Sequence, residues 1–414
     1  MARVFSDVPE KKWQDWQWQL QNRLMKLPDL KKCYPLTGQQ VKDIQKVLVS
    51  FRMAITPYYL SLIDPQNPDD PVMKQAIPTI HETEFYPTDM DDPLHEEVDS
   101  PCPGLTHRYP DRALLLVTHV CSMYCRHCTR RRKVGDNEDR HLPKKQLLAG
   151  FDYIRKTPQI RDVILSGGDP FTLTDQEIEW LLSELRKIKH VEIIRIGTRT
   201  PVVLPMRITE ALCRMIKKYH PVYVNTHFNH FQEINADSKR ACEMLADHGI
   251  PLGNQSVLLK GVNDNPAVMK KLVCDLLKIR VKPYYIYECD MSRGISHFRT
   301  PVATGISIME NLRGHVSGLA VPHFVIDAPG GGGKVPVMPT YIISQGPGTI
   351  VLRNYEGKII SCHDRPGEAE TEDLPKNLSR YYSMEGVAEL LNTQNHALDY
   401  GKILKKGPKR GKRK

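Results

Sequence analysis

The sequence has no long apolar run. Its longest uninterrupted apolar stretches, such as Ala113 to Val117, extend about five residues, whereas a membrane helix needs roughly 20. A membrane-spanning protein is therefore excluded. The first residues lead quickly into charges and tryptophans. They have neither the apolar core nor the small-residue cleavage site of a secretory signal, so the expected location is cytoplasmic. The fold proper has little surplus charge. The net +10 is concentrated in residues 402–414, which hold eight Lys or Arg and no acid, so the rest is near +2. The basic excess is thus a terminal tail, expected to be solvated and disordered, and nucleic acid is not an expected partner. A composition of 40% hydrophobic and 26% charged residues excludes global disorder and a collagen-like fibre.

The 414 residues correspond to two or three units, at roughly 150 per domain. Residues 1–110 read as a helical and loop-rich region. Helices are predicted over 14–27 and 37–51, the second opened by Thr37 with Gln40 three residues on. Residues 64–110 are rich in proline and acids and read as extended loops. From 111 to 320, β-branched runs at 112–120, 162–165, 191–197, 222–227, 255–259 and 283–288 alternate with helical stretches at 144–156, 174–188, 207–219, 236–248, 266–279 and 303–314. Six strand-then-helix units imply a parallel sheet covered by helices, an α/β fold. They suit a partial (β/α)6 barrel resembling a TIM barrel, although an open doubly wound sheet has the same alternation. Residues 321–400 read as a small α/β extension containing a hairpin around Tyr355-Glu356-Gly357, and 401–414 as the basic tail.

Ten cysteines without a secretion signal argue for reduced thiols and, where they cluster, for metal. Three follow the first strand as Cys121-Ser-Met-Tyr-Cys125-Arg-His-Cys128. Chance gives this C-x-x-x-C-x-x-C spacing roughly 0.006 times in such a chain. Two metal readings compete. A structural zinc needs a fourth ligand, nominally His127, but adjacent His127 and Cys128 reach one tetrahedral site with difficulty. A [4Fe–4S] cluster on three thiolates leaves one iron open to a small molecule. A second feature is Asp327-Ala-Pro-Gly-Gly-Gly-Gly-Lys334-Val-Pro. Val335 follows the lysine and the spacing differs, so this is not a Walker loop. Composition alone favours a mobile linker with an exposed lysine. A lysine amine can also form a Schiff base with pyridoxal phosphate.

Together CSMYCRHCTRRR, SGGDP, HFRTPV, LRGH and APGGGGK resemble the lysine 2,3-aminomutase family of the radical S-adenosylmethionine superfamily. The match runs from about Arg108 to Gly357. The resemblance implies that Cys121, Cys125 and Cys128 hold a [4Fe–4S] cluster. S-adenosylmethionine would chelate its open iron and yield a 5′-deoxyadenosyl radical on reduction. Ser166, Gly167, Gly168 and Asp169, after the second strand, would approach its methionine part, the glycines permitting close backbone contact. His227 and Gln255 would be further contacts. Lys334 would carry pyridoxal phosphate, with Arg108 and Arg112 at its phosphate and Tyr109 and Tyr287 packing beside it. Arg130 would receive the substrate carboxylate. Asp290 and Asp327 would receive its distal ammonium, since two carboxylates in a closed site repel unless a cation lies between them. The implied reaction is isomerisation of free L-lysine to β-lysine by migration of the amino group from the α- to the β-carbon.

Some relatives bind a structural zinc using a barrel cysteine and a C-terminal cysteine cluster. Here Asn265 stands at the barrel position and no cysteine follows Cys362, so no such zinc is expected. The family also implies a homo-oligomer and a reductant of ferredoxin or flavodoxin type. The competing readings are an aminomutase acting on arginine, glutamate or a protein-bound lysine and, from another class, a metal-binding nucleic-acid protein. The last leaves SGGDP, the glycine run and the paired aspartates without a role.

Overall fold

The computed structural model describes residues 5–134, 142–346 and 348–363. The basic tail and residues 364–400 of the C-terminal extension lie outside them. Within these residues the chain divides into two units, one comprising residues up to Tyr341 together with Asn354–Lys358, the other Ile342–Arg353 and the residues from Ile359 on.

The first unit is built on a nine-stranded sheet in chain order: β1 (Leu105–Tyr109), β2 (Arg112–Thr118), β3 (Asp162–Gly167), β4 (Ile193–Gly197), β5 (Val222–Thr226), β6 (Leu252–Val257), β7 (Lys282–Tyr287), β8 (His323–Ala328) and β9 (Gly333–Pro336). Strands β2 to β8 are parallel, and β1 and β9 run antiparallel at the two ends. Helices Lys144–Lys156, Asp175–Arg186, Glu210–Lys217, Ala236–Asp247, Pro266–Lys278 and Val302–Leu312 follow the first six parallel strands, in agreement with the six predicted units. Each presents an apolar stripe to the sheet, as with Leu147, Phe151 and Ile154 in the first. The sheet supplies the other side of that core with alternating inward residues such as Val163 and Leu165 on β3.

Two features of the sheet differ from the sequence reading. β8 is a seventh parallel strand, placed beside β7 by pairs such as Ile286↔Phe324. The sixth predicted strand-to-helix unit therefore ends on another strand of the same sheet. β6 also begins earlier than expected, at Leu252. Its polar Gly253-Asn254 pair extends the ladder because Asn225↔Gly253 and Thr226↔Asn254 are in register.

In the N-terminal region, Thr37 and Gln40 form the expected capping box on helix Gly38–Ser50. The helix expected over 14–27 instead breaks into Trp16–Gln21 and a separate helix beginning at Leu27. Leu24 exchanges two backbone hydrogen bonds with Ile55, at 2.8 and 3.2 Å, and this long-range bridge overrides local helix preference. The region backs the cysteine loop. The Tyr124 and Arg126 amides donate to Ala54 O and Gln75 O, and the Arg126 guanidinium to Arg52 O.

The second unit is an antiparallel sheet of β10 (Ile342–Gly346), β11 (Thr349–Arg353) and β12 (Ile359–His363). β11 and β12 are the strands of the expected hairpin. No described helix is long and apolar enough to cross a membrane.

Candidate active site at the strand ends

The loops after the parallel strands enclose a cavity of about 510 Å³. Its lining includes Cys121, Cys125, Cys128, Arg130, Ser166, Gly167, Gly168, Asp169, His227, Gln255, Tyr287, Asp290, Asp327, Lys334, Arg108, Tyr109 and Arg112. Residues singled out over more than 200 positions of sequence thus meet in one place, at the strand ends where α/β folds place their sites.

The cysteine loop follows β2. Burial and the neighbouring thiols push Cys121 and Cys128 upward from the ordinary thiol pKa. Two thiols so placed ionise together only with positive charge beside them, as a metal centre provides. Among the described residues, no three His, Cys, Asp or Glu side chains converge closely enough to ligate a single ion. Three thiolates are the donor set of a [4Fe–4S] cluster with one open iron, whereas a structural zinc takes four ligands, so the residues present fit a cluster.

The SGGDP loop closes on this strand. The Gly168 and Asp169 amides donate to Thr118 O and Val120 O at 2.6 and 2.7 Å. A Cβ on Gly167, whose φ is +128°, would lie 2.2 Å from Thr118 O, and one on Gly168 would lie 2.1 Å from Val120 O. Both glycines are thus required by the backbone leading to Cys121. The Asp169 carboxylate is fully engaged: it accepts from Thr198 Oγ1 (2.6 Å), Arg199 N (2.8 Å) and Phe171 N (3.0 Å). Its visible work is to fix the loop.

The remaining lining residues form two groups. His227 shares a hydrogen bond between Nδ1 and Gln255 O at 3.1 Å, and burial followed by Arg199 pushes its pKa down to about 4, so the imidazole is neutral. Gln255 donates through Nε2 to the Tyr287 hydroxyl at 3.1 Å. On the other side, β8 and β9 place Asp327 directly opposite Lys334. The Lys334 ammonium lies 3.0 Å from both Asp327 oxygens and 5.1 Å from the Tyr287 ring centroid. The Lys334 amide donates to the Tyr109 hydroxyl at 2.9 Å, while Arg112 stacks 4.4 Å over the Tyr109 ring. Gly330, Gly331 and Gly333, all at φ between 74° and 81°, turn the chain from β8 back into β9. The glycine run is thus a tight return that aims Lys334 into the cavity. Asp290 follows β7. Burial and then the charge of Asp327 push its carboxyl up to about 7.

Four participants were not visible in the sequence. Glu96 accepts from Arg130 Nε at 2.8 Å and Nη2 at 2.6 Å, leaving Arg130 Nη1 to face Ser166 Oγ at 3.4 Å. Burial pushes Glu96 upward, but Arg130 outweighs it and holds the carboxyl below its usual range. Glu82 is fully buried between Arg126 and Arg131 and is held low by both. Arg199, just past β4, pairs with buried Glu233 at 2.7 Å and points at Cys125. Position at a strand end could have flagged Arg199. Glu82, Glu96 and Glu233 carry no comparable signal.

Fold and site together describe a barrel-like α/β sheet whose strand ends gather three clustered thiols and a lysine in one cavity, an arrangement suited to a cofactor enzyme. Residues 115–272 match the model of the radical SAM superfamily, and residues 309–413 that of lysine-2,3-aminomutase. The chain is 56% identical over 399 residues to the L-lysine 2,3-aminomutase of Clostridium subterminale, covering 96% of this chain and 95% of that protein. It is 57% identical to that of Acetoanaerobium sticklandii, over 96% of each chain. The glutamate 2,3-aminomutase of Clostridioides difficile is 50% identical, over 86% of this chain and 84% of that one. The chain belongs to the lysine 2,3-aminomutase family of radical S-adenosylmethionine enzymes. It is accordingly an isomerase that depends on a [4Fe–4S] cluster, S-adenosylmethionine, pyridoxal phosphate and an external reductant.

Proposed function

We propose that this enzyme interconverts free L-lysine and L-β-lysine by moving the amino group from C2 to C3. The observation that carries the substrate choice is the carboxylate pair Asp290 and Asp327, which line one cavity with Lys334 and lie near enough for the charge of Asp327 to act on Asp290. In the structure the Lys334 ammonium pairs with Asp327. Lys334 would hold pyridoxal phosphate through that amine in the resting enzyme, which would leave Asp327 without its ammonium and two carboxylates facing the cavity. A substrate ending in an ammonium restores the balance, whereas a glutamate side chain would add a third negative charge. Arg130, oriented by Glu96, presents Nη1 to the substrate carboxylate.

Other residues take the remaining tasks. Cys121, Cys125 and Cys128 hold the cluster. The Ser166–Asp169 loop and the neutral His227 shape the S-adenosylmethionine side, with Gln255 bridging to Tyr287. Lys334 carries pyridoxal phosphate, Tyr109 and Tyr287 flank it, and Arg108 and Arg112 lie at its phosphate end. Pyridoxal phosphate supplies spin delocalisation when bound. The enclosing loops exclude water from the radical chemistry. The chain acts in the cytoplasm as a homo-oligomer, supplied by a low-potential donor of ferredoxin or flavodoxin type.

The test is an anaerobic assay of protein reconstituted with iron, sulfide and pyridoxal phosphate, reduced and given S-adenosylmethionine with L-lysine, L-arginine or L-glutamate. β-Lysine formed from L-lysine alone is the expected result. Product from arginine or glutamate only would overturn the substrate assignment and leave the cofactor reading intact. Cleavage of S-adenosylmethionine with no free amino acid converted would point to a lysine held in a protein.

A further inference from the structure

We propose that Arg199 is a positioning residue for the iron–sulfur centre, donating a charge-assisted hydrogen bond to the Cys125 sulfur that raises the reduction potential of the cluster. The proposal rests on the reading that the three cysteines hold that cluster.

Arg199 Nη1 lies 2.8 Å from Cys125 Sγ. The rest of the guanidinium is committed elsewhere. Nη2 donates to Glu233 Oε1 at 2.7 Å and to Gln75 Oε1 at 2.6 Å, and Nε donates to His227 O at 3.2 Å. Its Cζ lies 5.6 Å from the centroid of the Tyr59 ring. Tyr59, Gln75 and Glu233 are fully buried, and Arg199 is 7% exposed. Glu233 is fixed in turn, accepting from the Tyr59 hydroxyl at 2.7 Å and from the Asn229 and His230 amides at 2.6 and 2.9 Å. The fork therefore has one position, and in it Nη1 is directed at sulfur. The Arg199 amide also donates to Asp169 at 2.8 Å, linking this residue to the loop that closes over Cys121.

Hydrogen bonds to the sulfurs and nearby charge are main determinants of a cluster's potential. One-electron reduction adds one negative charge to the centre, and the electron comes from the external reductant. A buried cation with a proton directed at a ligating sulfur favours the reduced form. Arg126 and Arg131 are less suited to this, since buried Glu82 holds both. Arg199 also has its carboxylate, but it keeps one nitrogen for the thiol.

The experiment uses full-length protein, reconstituted anaerobically without S-adenosylmethionine or amino acid and titrated electrochemically with detection of the reduced cluster by electron paramagnetic resonance. Arg199→Gln is expected to take up iron and sulfide but to reduce at a more negative midpoint than the wild type. Arg199→Lys keeps the charge but not the fork, and is expected to fall between them. In wild-type protein carrying 15N-arginine, electron–nuclear double resonance should show a nitrogen coupled to the reduced cluster. This measurement decides the matter if the variants fail to load. A loaded Arg199→Gln protein with an unchanged midpoint, or a wild type without 15N coupling, would overturn the proposal. Wild-type protein that takes up no cluster would instead overturn the reading of the three cysteines, and this proposal with it.

Discussion

The two halves of the cavity are balanced differently. On the cysteine side the principal arginines have buried or nearly buried carboxylate partners: Arg126 and Arg131 with Glu82, Arg130 with Glu96, and Arg199 with Glu233. On the lysine side, Asp327 pairs with the Lys334 ammonium, and burial and then Asp327 push the Asp290 carboxyl up to about 7 against the charges of Lys334 and Arg130. The first half is closed electrostatically by the protein itself and is suited to hold a fixed centre rigidly. The second sets two carboxylates beside one lysine amine that the cofactor would engage, and is suited to select a cationic ligand. The contrast teaches that rigidity and selectivity here come from the same residue types used in opposite ratios.

The most severe way to break the lysine half is Lys334→Ala. Turnover should be abolished, while iron content and the reduced-cluster resonance stay at wild-type levels; full activity would remove the pyridoxal assignment. The matching disruption of the cysteine half is Glu82→Gln, which strands two buried guanidinium groups. Loss of one partner of a buried ion pair costs about 3–5 kcal/mol, so chemical denaturation of the apoprotein should register a drop of that order. Next comes Asp327→Asn, for which kcat/KM on L-lysine should fall on the order of 10²-fold through loss of one carboxylate from a desolvated charge pair. An unchanged value would mean that the distal ammonium binds elsewhere. The smallest effect is in the pH profile. The Asp290 carboxyl is raised, so it becomes negative only as pH climbs through about 7. Below that point protons compete with the substrate ammonium, and kcat/KM should fall about tenfold per unit. Asp290→Asn should flatten that limb.

The same division separates what could be read from sequence from what could not. The cysteine motif is contiguous, and its spacing alone was informative. The glycine–lysine run by itself reads as a mobile linker, and only the family resemblance gives its lysine a cofactor role. The strand–helix alternation was equally local, and six helices fell where apolar periodicity placed them. The partners that close the cysteine half lie 34 to 49 positions from the arginines they hold. A lone Glu in an acidic loop, such as Glu96, looks like any solvated carboxylate until the fold buries it. β8 was missed as part of the barrel because strand pairing, rather than its own composition, places it beside β7. The break at Leu24 has the same origin, since its partner Ile55 is remote in sequence. The close approach of the SGGDP glycines to the Thr118 and Val120 backbone is likewise a long-range contact that the motif itself does not show.

The central claim is that carboxylate charge at Asp290 and Asp327 selects the substrate. Its most direct test compares L-lysine with L-norleucine, which has the same carbon chain but no distal ammonium, in the reconstituted enzyme at pH 8. The account predicts that kcat/KM for norleucine is lower on the order of 10²-fold or more. Comparable values for the two amino acids would contradict it, leaving the radical machinery in place and the carboxylate pair without its assigned task.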